Sequence, residues 1–334
     1  EYFSEAICKL AEEEPRIIAI TAAMPSGTGL SEFSKKFPDR YFDVGICEQH
    51  AVTFAGGLSA KGYKPVVAIY STFLQRAFDQ IIHDICLQKL PVVFAIDRAG
   101  LVGEDGATHM GNFDLSFLRI IPNIALCAPR DGEDLKLLLR LALTKNLPIA
   151  IRYPKCSAPK IGPIENRNIE GADILLKGDD AYIIGVGPIL QYCLETAQKL
   201  NTLGFSVGVI DARWIKPLDT KLFKNIHTPF LFTVEENTLE GGFGSAILEF
   251  YSDNTDNLTQ LPKIIRIGVT NPFCEHATRN EQLDMLGLTS QKLTMKIITI
   301  LTNVKIEAHT PQEQVYFTSC KKNQIYDNLI IPDD

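Results

Sequence analysis

No two of the eight cysteines, at positions 8, 47, 86, 127, 156, 193, 274 and 320, stand in a CxxC or other metal-ligand spacing. The cysteines therefore read as reduced thiols, which places the chain in a cytosolic or organelle-matrix compartment. Several lie in apolar stretches, Cys86 in IIHDICLQ and Cys127 in NIALCAP, where a free cysteine packs as a small hydrophobe. Long apolar runs are lacking as well. No stretch approaches the about 20 residues that a membrane span needs, and the opening EYFSEAICKLAEEEP has neither a basic leader nor a cleavage pattern. An excess of positive charge is also missing: the net charge is −7. This argues against a general grip on nucleic acid or on a membrane surface, so any phosphate must be held by a few placed cations. The first residue is not methionine, and the expectation is a piece of a longer protein.

What is present is ordinary in bulk. With 334 residues, 46% of them hydrophobic and 22% charged, the chain suits a soluble protein with two cores of roughly 150 residues each. Five short runs rich in valine and isoleucine, RIIAIT (16–21), PVVAIY (65–70), PVVFAI (91–96), NIALCAP (123–129) and PIAIRY (148–153), read as buried parallel strands. Helical periodicity lies between them. In FLQRAFDQIIHDICLQ (73–88), Phe73, Ala77, Ile81 and Ile85 recur every four residues, and Asp131 with Glu133 and Asp134 places acids where a helix begins. The alternation predicts α/β architecture with doubly wound, mostly parallel sheets.

Residues from about 155 to 178 carry proline, glycine and mixed charge without a helical stripe, so the chain divides into 1–160, a linker at 161–178, and a second domain at 179–305. The second domain repeats the pattern with AYIIGVG (181–187), SVGVIDAR (206–213), FLFTVEE (230–236) and KIIRIGV (263–269). The tail at 306–334 shows no clear period.

In an open parallel sheet, ligands bind beyond the carboxyl ends of the strands. The unusual residues cluster there. Tyr70, Phe73 and Arg76 follow one strand, and a loop with four glycines, from Asp97 and Arg98 through Asp105 to His109 and Gly111, follows the next. Such a loop can bend tightly around a ligand, although incidental surface charge would give the same composition. The polar face Phe73, Arg76, Gln80 and His83 reads equally as solvated, and Glu48 taken alone reads as a helix-start acid.

The run from DVGICEQHAVTFAGG through PVVAIYSTFLQRAFDQ to DRAGLVGEDGATHMG resembles the transketolase superfamily, and within it the 1-deoxy-D-xylulose-5-phosphate synthases, almost continuously over residues 16–160. The likeness resumes at DARWIKPLD (211–219) and VEENTLEGGFGSAI (234–247). It implies a pyrimidine-binding domain followed by a transketolase C-terminal domain, thiamine diphosphate as cofactor, and decarboxylating condensation of pyruvate with D-glyceraldehyde 3-phosphate on a route to isoprenoids, thiamine and pyridoxal. By the same resemblance Glu48 bonds the pyrimidine ring nitrogen, which prepares the cofactor's thiazolium carbon to lose its proton. The likeness further implies that Phe73 stacks on the pyrimidine and that Arg76 occupies a further cofactor-side position. The resemblance also implies that Tyr70, Arg98 and Arg152 bind the acceptor's phosphate and hydroxyls, where guanidinium groups suit bidentate contact. Asp105 and His109 are by the same likeness expected to contact acceptor hydroxyls, with His109 helping proton transfer. A homodimer is also implied.

The family's third domain, which binds the diphosphate through Mg²⁺, has no counterpart in this sequence. Gly178-Asp179-Asp180 with Asn201 echoes its metal motif but lacks the second glycine, so the chain alone is expected to be inactive. The family phrase resembling GIPDxFIEHG reads GVTNPFCEHATRN (268–280) here, which leaves His276 as a structural residue. Lys216 and glycines 241, 242 and 244 are expected to shape domain packing. Two other readings stay open: the beta chain of a 2-oxo acid dehydrogenase, and a non-catalytic scaffold half.

Overall fold

A computed structural model describes residues 1–165, 167–255 and 261–307. Most of the stretch read as a tail, including Cys320, lies outside the described residues. The first half forms β1 (Ile17–Thr21), β2 (Tyr41–Asp43), β3 (Lys64–Tyr70), β4 (Val93–Asp97), β5 (Ala125–Cys127) and β6 (Ile149–Arg152). The second half forms β7 (Asp173–Leu176), β8 (Ala181–Gly185), β9 (Val207–Asp211), β10 (Trp214–Lys216), β11 (Phe230–Thr238) and β12 (Lys263–Val269). Each apolar run read as a strand is one.

The sheets are β10-β5-β6-β4-β3-β1-β2 and β12-β11-β8-β9-β7. All pairings are parallel except β10 with β5 and β7 with β9. The central strands β1, β4, β6, β8 and β9 are buried along their whole length, because helices cover both faces of a parallel sheet. Three short strands were not expected. β2 has exposed residues and no apolar run, β7 lies within the stretch read as linker, and β10 leaves the second half to edge the first sheet.

The segment after β3 is helical but irregular. Ser71–Leu74 is α-helical, Gln75–Ala77 tightens to a 3₁₀ turn, and Ile81–Cys86 widens to a π-turn, a departure common near functional sites. Ala77, Ile81 and Ile85 of the predicted stripe are fully buried. Gly56 of the helix Glu48–Ala60 packs here, and a Cβ on it would meet Ile85 Cδ1 at 3.0 Å. Asp131 caps the helix Gly132–Ala142 by accepting from the Asp134 amide at 2.9 Å.

Buried charge joins the halves. Arg213, with no exposed surface, donates to Asp134 at 3.0 Å, Asp211 at 2.9 Å and Asp173 at 2.8 Å, and to the carbonyls of Asn168 and Gly171. Arg167 pairs with Asp131 at 2.7 Å and with Asp134 at 2.6 Å. Arg213→Met is expected to cost about 3–5 kcal/mol, because it strands buried carboxylates. Arg140→Met, which breaks a surface pair with Glu13, should cost about 1 kcal/mol or less. Denaturant midpoints measure both.

Residues of the metal-motif echo are spent on backbone ties. Asn201 accepts from the Val207 amide at 2.7 Å and donates to its carbonyl at 3.2 Å, and the Asp179 amide donates to Ser206 Oγ at 3.0 Å. Lys216 donates to the Arg119 carbonyl at 2.8 Å and to that of Ile121. A Cβ on Gly242 would meet Glu235 at 2.3 Å. Glu235 accepts from the Phe243 and Gly244 amides at 2.6 and 2.8 Å, and burial pushes its carboxyl up to about 7 against the pull of those amides.

Candidate active site

The first sheet changes direction between β1 and β3: the chain runs outward from β1 to β2, then returns to β3 and continues to β4. A crevice is expected beyond the carboxyl ends of strands at such a switch point. Asp43, at the end of β2, fixes the approach to it by accepting from the amides of Ala23 at 2.7 Å and Gly45 at 3.0 Å. Glu48 then opens the helix Glu48–Ala60.

Glu48 departs from the behaviour of a helix-start acid. Such an acid is normally solvated, but Glu48 is 1% exposed. Arg76 donates to Glu48 Oε1 at 2.8 Å, while Oε2 is buried and has no hydrogen-bond partner among the described residues. A bare buried oxygen of this kind costs about 1–3 kcal/mol, and more on a charged group, so a donor brought to that position would recover the cost.

Beside it stands an aromatic group. Tyr70 and Phe73 stack with centroids 5.8 Å apart, Arg76 lies 5.0 Å over the Phe73 ring, and His109 meets that ring edge-on at 5.3 Å. The Arg98 guanidinium lies 3.9 Å over the Tyr70 ring and donates to the Gly27 carbonyl at 2.5 Å. Arg98 holds a left-handed φ of 55°, a strained conformation for a side chain of this size and one that clusters at functional sites. Its Nε is buried without a hydrogen-bond partner among the described residues, since Asp105 Oδ2 lies 4.0 Å away. Asp97 pairs with Arg98 at 3.2 Å, and burial raises its carboxyl above the ordinary range despite that pairing. Burial likewise raises the Tyr70 phenol.

Gly27 makes this packing feasible, because a Cβ there would fall 1.6 Å from Tyr70 Oη. Gly27→Ala is therefore expected to lower the unfolding free energy by about 1–3 kcal/mol through overpacking. Gly57→Ala, on the exposed side of the helix Glu48–Ala60 where an added Cβ meets nothing within 4 Å, should raise it by about 0.5–1 kcal/mol. Chemical denaturation of the two variants checks the contrast.

The glycine-rich loop closes on itself through a bridge between Gly100 and Gly111, with positive φ at Gly100, Gly103 and Gly106. Asp105 accepts from Lys155 Nζ at 3.0 Å, and His109 Nδ1 lies 2.9 Å from Thr108 Oγ1. The structure thus brings Glu48, Phe73 and Arg76 together, and Tyr70, Arg98, Asp105 and His109 around the same strand ends.

Arg152 is held differently. Its fork grips buried Asp114 at 3.0 and 3.1 Å, and Nη2 also donates to the Glu236 carbonyl at 3.0 Å. At 3% exposure it braces the sheet against the second half rather than offering a free fork to a phosphate. His83 is exposed beside Asp84 at 3.3 Å, as a solvated face would place it. Sequence reasoning passed over Gly27, Asp114, Glu236 and Gln282. Only Gly27, in the short PSGTG turn after β1, carried a local signal. Among the described residues no group of three metal-ligating side chains converges, and no helix is long and apolar enough to cross a membrane.

Known proteins resemble this chain over both halves. Residues 1–160 match the transketolase pyrimidine-binding domain, and residues 170–293 match the transketolase C-terminal domain. The 1-deoxy-D-xylulose-5-phosphate synthase of Carboxydothermus hydrogenoformans is 50% identical over 91% of this chain and 49% of its own length. That of Aquifex aeolicus is 47% identical over 86% and 46%. The chain spans about half the length of the curated relatives it matches. A solved structure described as a split gene transketolase, inactive beta4 tetramer, superposes with a TM-score of 0.80 at 30% identity, over 90% of this chain and 97% of that one. Transketolase from Campylobacter jejuni shares the fold at a TM-score of 0.69 and 19% identity, over 89% of this chain and 46% of that one.

Proposed function

The chain belongs to the transketolase family, and from that premise we propose that it supplies the pyrimidine-binding and acceptor-binding residues of a thiamine-diphosphate enzyme. The reaction is condensation of pyruvate with D-glyceraldehyde 3-phosphate to 1-deoxy-D-xylulose 5-phosphate, with release of carbon dioxide. The observation that carries the reading is Glu48: a carboxylate 1% exposed, one oxygen held by Arg76 and the other bare, beside the stacked rings of Tyr70 and Phe73.

These residues fit the cofactor's pyrimidine. A protonated ring nitrogen would donate to Glu48 Oε2, the Phe73 face would cover the ring, and both contacts exclude water from the carboxylate. Thiamine diphosphate, when bound, supplies the carbon nucleophile and the electron sink that decarboxylation of pyruvate requires. Glu48 would share a proton with the ring nitrogen, and Arg76, holding Oε1, would keep Oε2 turned toward it. Arg98, with the Tyr70 hydroxyl near it, provides the local positive charge for the acceptor's phosphate in a chain of net charge −7. Asp105 orients the acceptor hydroxyls, and His109, against the edge of Phe73, passes the proton that carbon–carbon bond formation requires. Arg152 acts by holding Asp114 and the second half in place.

The diphosphate and its Mg²⁺ need ligands from a further domain, of the same polypeptide or of a partner chain. The assembled enzyme is proposed to work as a homodimer. A coupled assay for deoxyxylulose phosphate, run with this chain alone and with the chain joined to a diphosphate-binding half, tests the proposal. Product from the joined protein only is expected. Product from neither would point to the beta-chain or scaffold reading.

A further inference from the structure

The loop carrying Asp105 and His109 is anchored by the far half of the chain. Leu101, Val102 and Met110 are buried in the hydrophobic cluster of the second sheet. The Leu101 amide reaches Glu236 Oε2 at 3.4 Å, and that carboxylate is itself paired with Arg279. His276 donates from Nδ1 to the Glu104 carbonyl at 2.9 Å, and its ring fills the space beside Gly106, where a Cβ would come within 2.3 Å of it. The tightest grip is at Gly103. Its amide donates to Gln282 Oε1 at 2.8 Å, and Gln282 Nε2 donates back to the Gly103 carbonyl at 3.1 Å and to the Glu275 carbonyl at 3.0 Å. Gln282 is fully buried.

We propose that Gln282 is a positioning residue for the acceptor step. Its side-chain amide pairs with both backbone groups of Gly103 as a neighbouring strand would, and so fixes where Asp105 stands relative to Arg98 and Lys155, and where His109 meets Phe73. The proposal rests on the reading of Asp105 and His109 as acceptor-side residues. A leucine of similar volume would fill the space but leave the Gly103 amide and carbonyl buried and unpaired. The loop can relieve this only by moving toward water. Glu48 and Phe73 are carried by other elements and would stay in place. A displacement of about 1 Å at a reacting group is enough to lower rates by about 100-fold, so the loss should fall on the acceptor alone.

The test compares Gln282→Leu with Gln282→Glu, whose side chain, buried between two carbonyls, is favoured as the neutral acid and so keeps the acceptor for the Gly103 amide and one donor in place of two. In this chain, amide hydrogen exchange at residues 101–106 should quicken by about tenfold or more in Gln282→Leu and by less in Gln282→Glu, with the strands of both sheets unchanged. In the enzyme joined to its diphosphate-binding half, kcat/KM for the aldehyde should fall about 10- to 100-fold in Gln282→Leu and less in Gln282→Glu, while KM for pyruvate stays within about twofold. Loop exchange unchanged in an active enzyme, or equal losses for both substrates, would overturn the proposal. A wild-type enzyme that does not join pyruvate to the aldehyde would instead overturn the functional reading, and with it the catalytic part of this one, whatever the exchange data show.

Discussion

Glu48→Gln in the assembled enzyme is expected to lower turnover by about two to four orders of magnitude while leaving the affinity for thiamine diphosphate within about threefold. The asymmetry follows from the geometry of the carboxylate. Glutamine is isosteric and can still accept the Arg76 hydrogen bond that Oε1 takes at 2.8 Å. The position of bare Oε2 can still meet a ring nitrogen, but an amide cannot share that proton as a carboxylate does. Binding should therefore survive, because on the proposed reading the Phe73 face also holds the ring and a further domain holds the diphosphate. Activation does not. A helix-start acid with no further role would give the opposite result, a change of a few tenths of a kcal/mol in stability and none in rate. Measuring kcat and the cofactor dissociation constant on one preparation separates the two cases.

The second large effect is expected at Arg98. Arg98→Met should reduce kcat/KM for the phosphorylated aldehyde by about 100-fold, since a charged, bidentate contact is worth about 3 kcal/mol. The loss should shrink to about threefold or less for the aldehyde without its phosphate. Asp97 complicates the variant: it lies 3.2 Å from Arg98, and burial already raises its carboxyl, so removing the cation favours protonation of Asp97 and some loss of stability. Arg98→Lys keeps the charge near Asp97 but lacks the planar fork. It should restore stability more fully than it restores discrimination for phosphate, which urea denaturation beside paired kinetics would reveal. Equal losses for both aldehydes would mean that Arg98 holds the site together without reading the phosphate.

The sequence made the sheets legible where strands are buried on both faces. A strand such as β4, with no exposed residue, has to be a continuous apolar run, and RIIAIT, PVVFAI and AYIIGVG were readable for that reason. β2, β7 and β10 are three- or four-residue edge strands with partly exposed residues, so no such run marks them. The position of the site was legible as well, because unusual residues at strand ends need only the topology to converge. Their partners were not. The resemblance implies a phosphate or hydroxyl contact for Arg152, whereas its fork holds Asp114, 38 residues earlier. Gln282 grips Gly103 across 179 residues, and no local pattern encodes a contact of that span. The stretch GVTNPFCEHATRN, set aside as structural, contributes His276 and Arg279 to the same anchorage, next to Gln282. The burial that distinguishes Glu48 from an ordinary capping acid is likewise a tertiary property.

On the proposed reading, Glu48 Oε2 would meet the cofactor's pyrimidine nitrogen and thereby control proton loss at the thiazolium carbon. Deuterium exchange of that carbon's proton, followed by NMR on the assembled enzyme with thiamine diphosphate and no substrate, measures this step apart from all later chemistry. Exchange about 100-fold or more slower in Glu48→Gln than in wild type, with the cofactor still bound, is the predicted result. Exchange at the wild-type rate in the variant would exclude this role for Glu48.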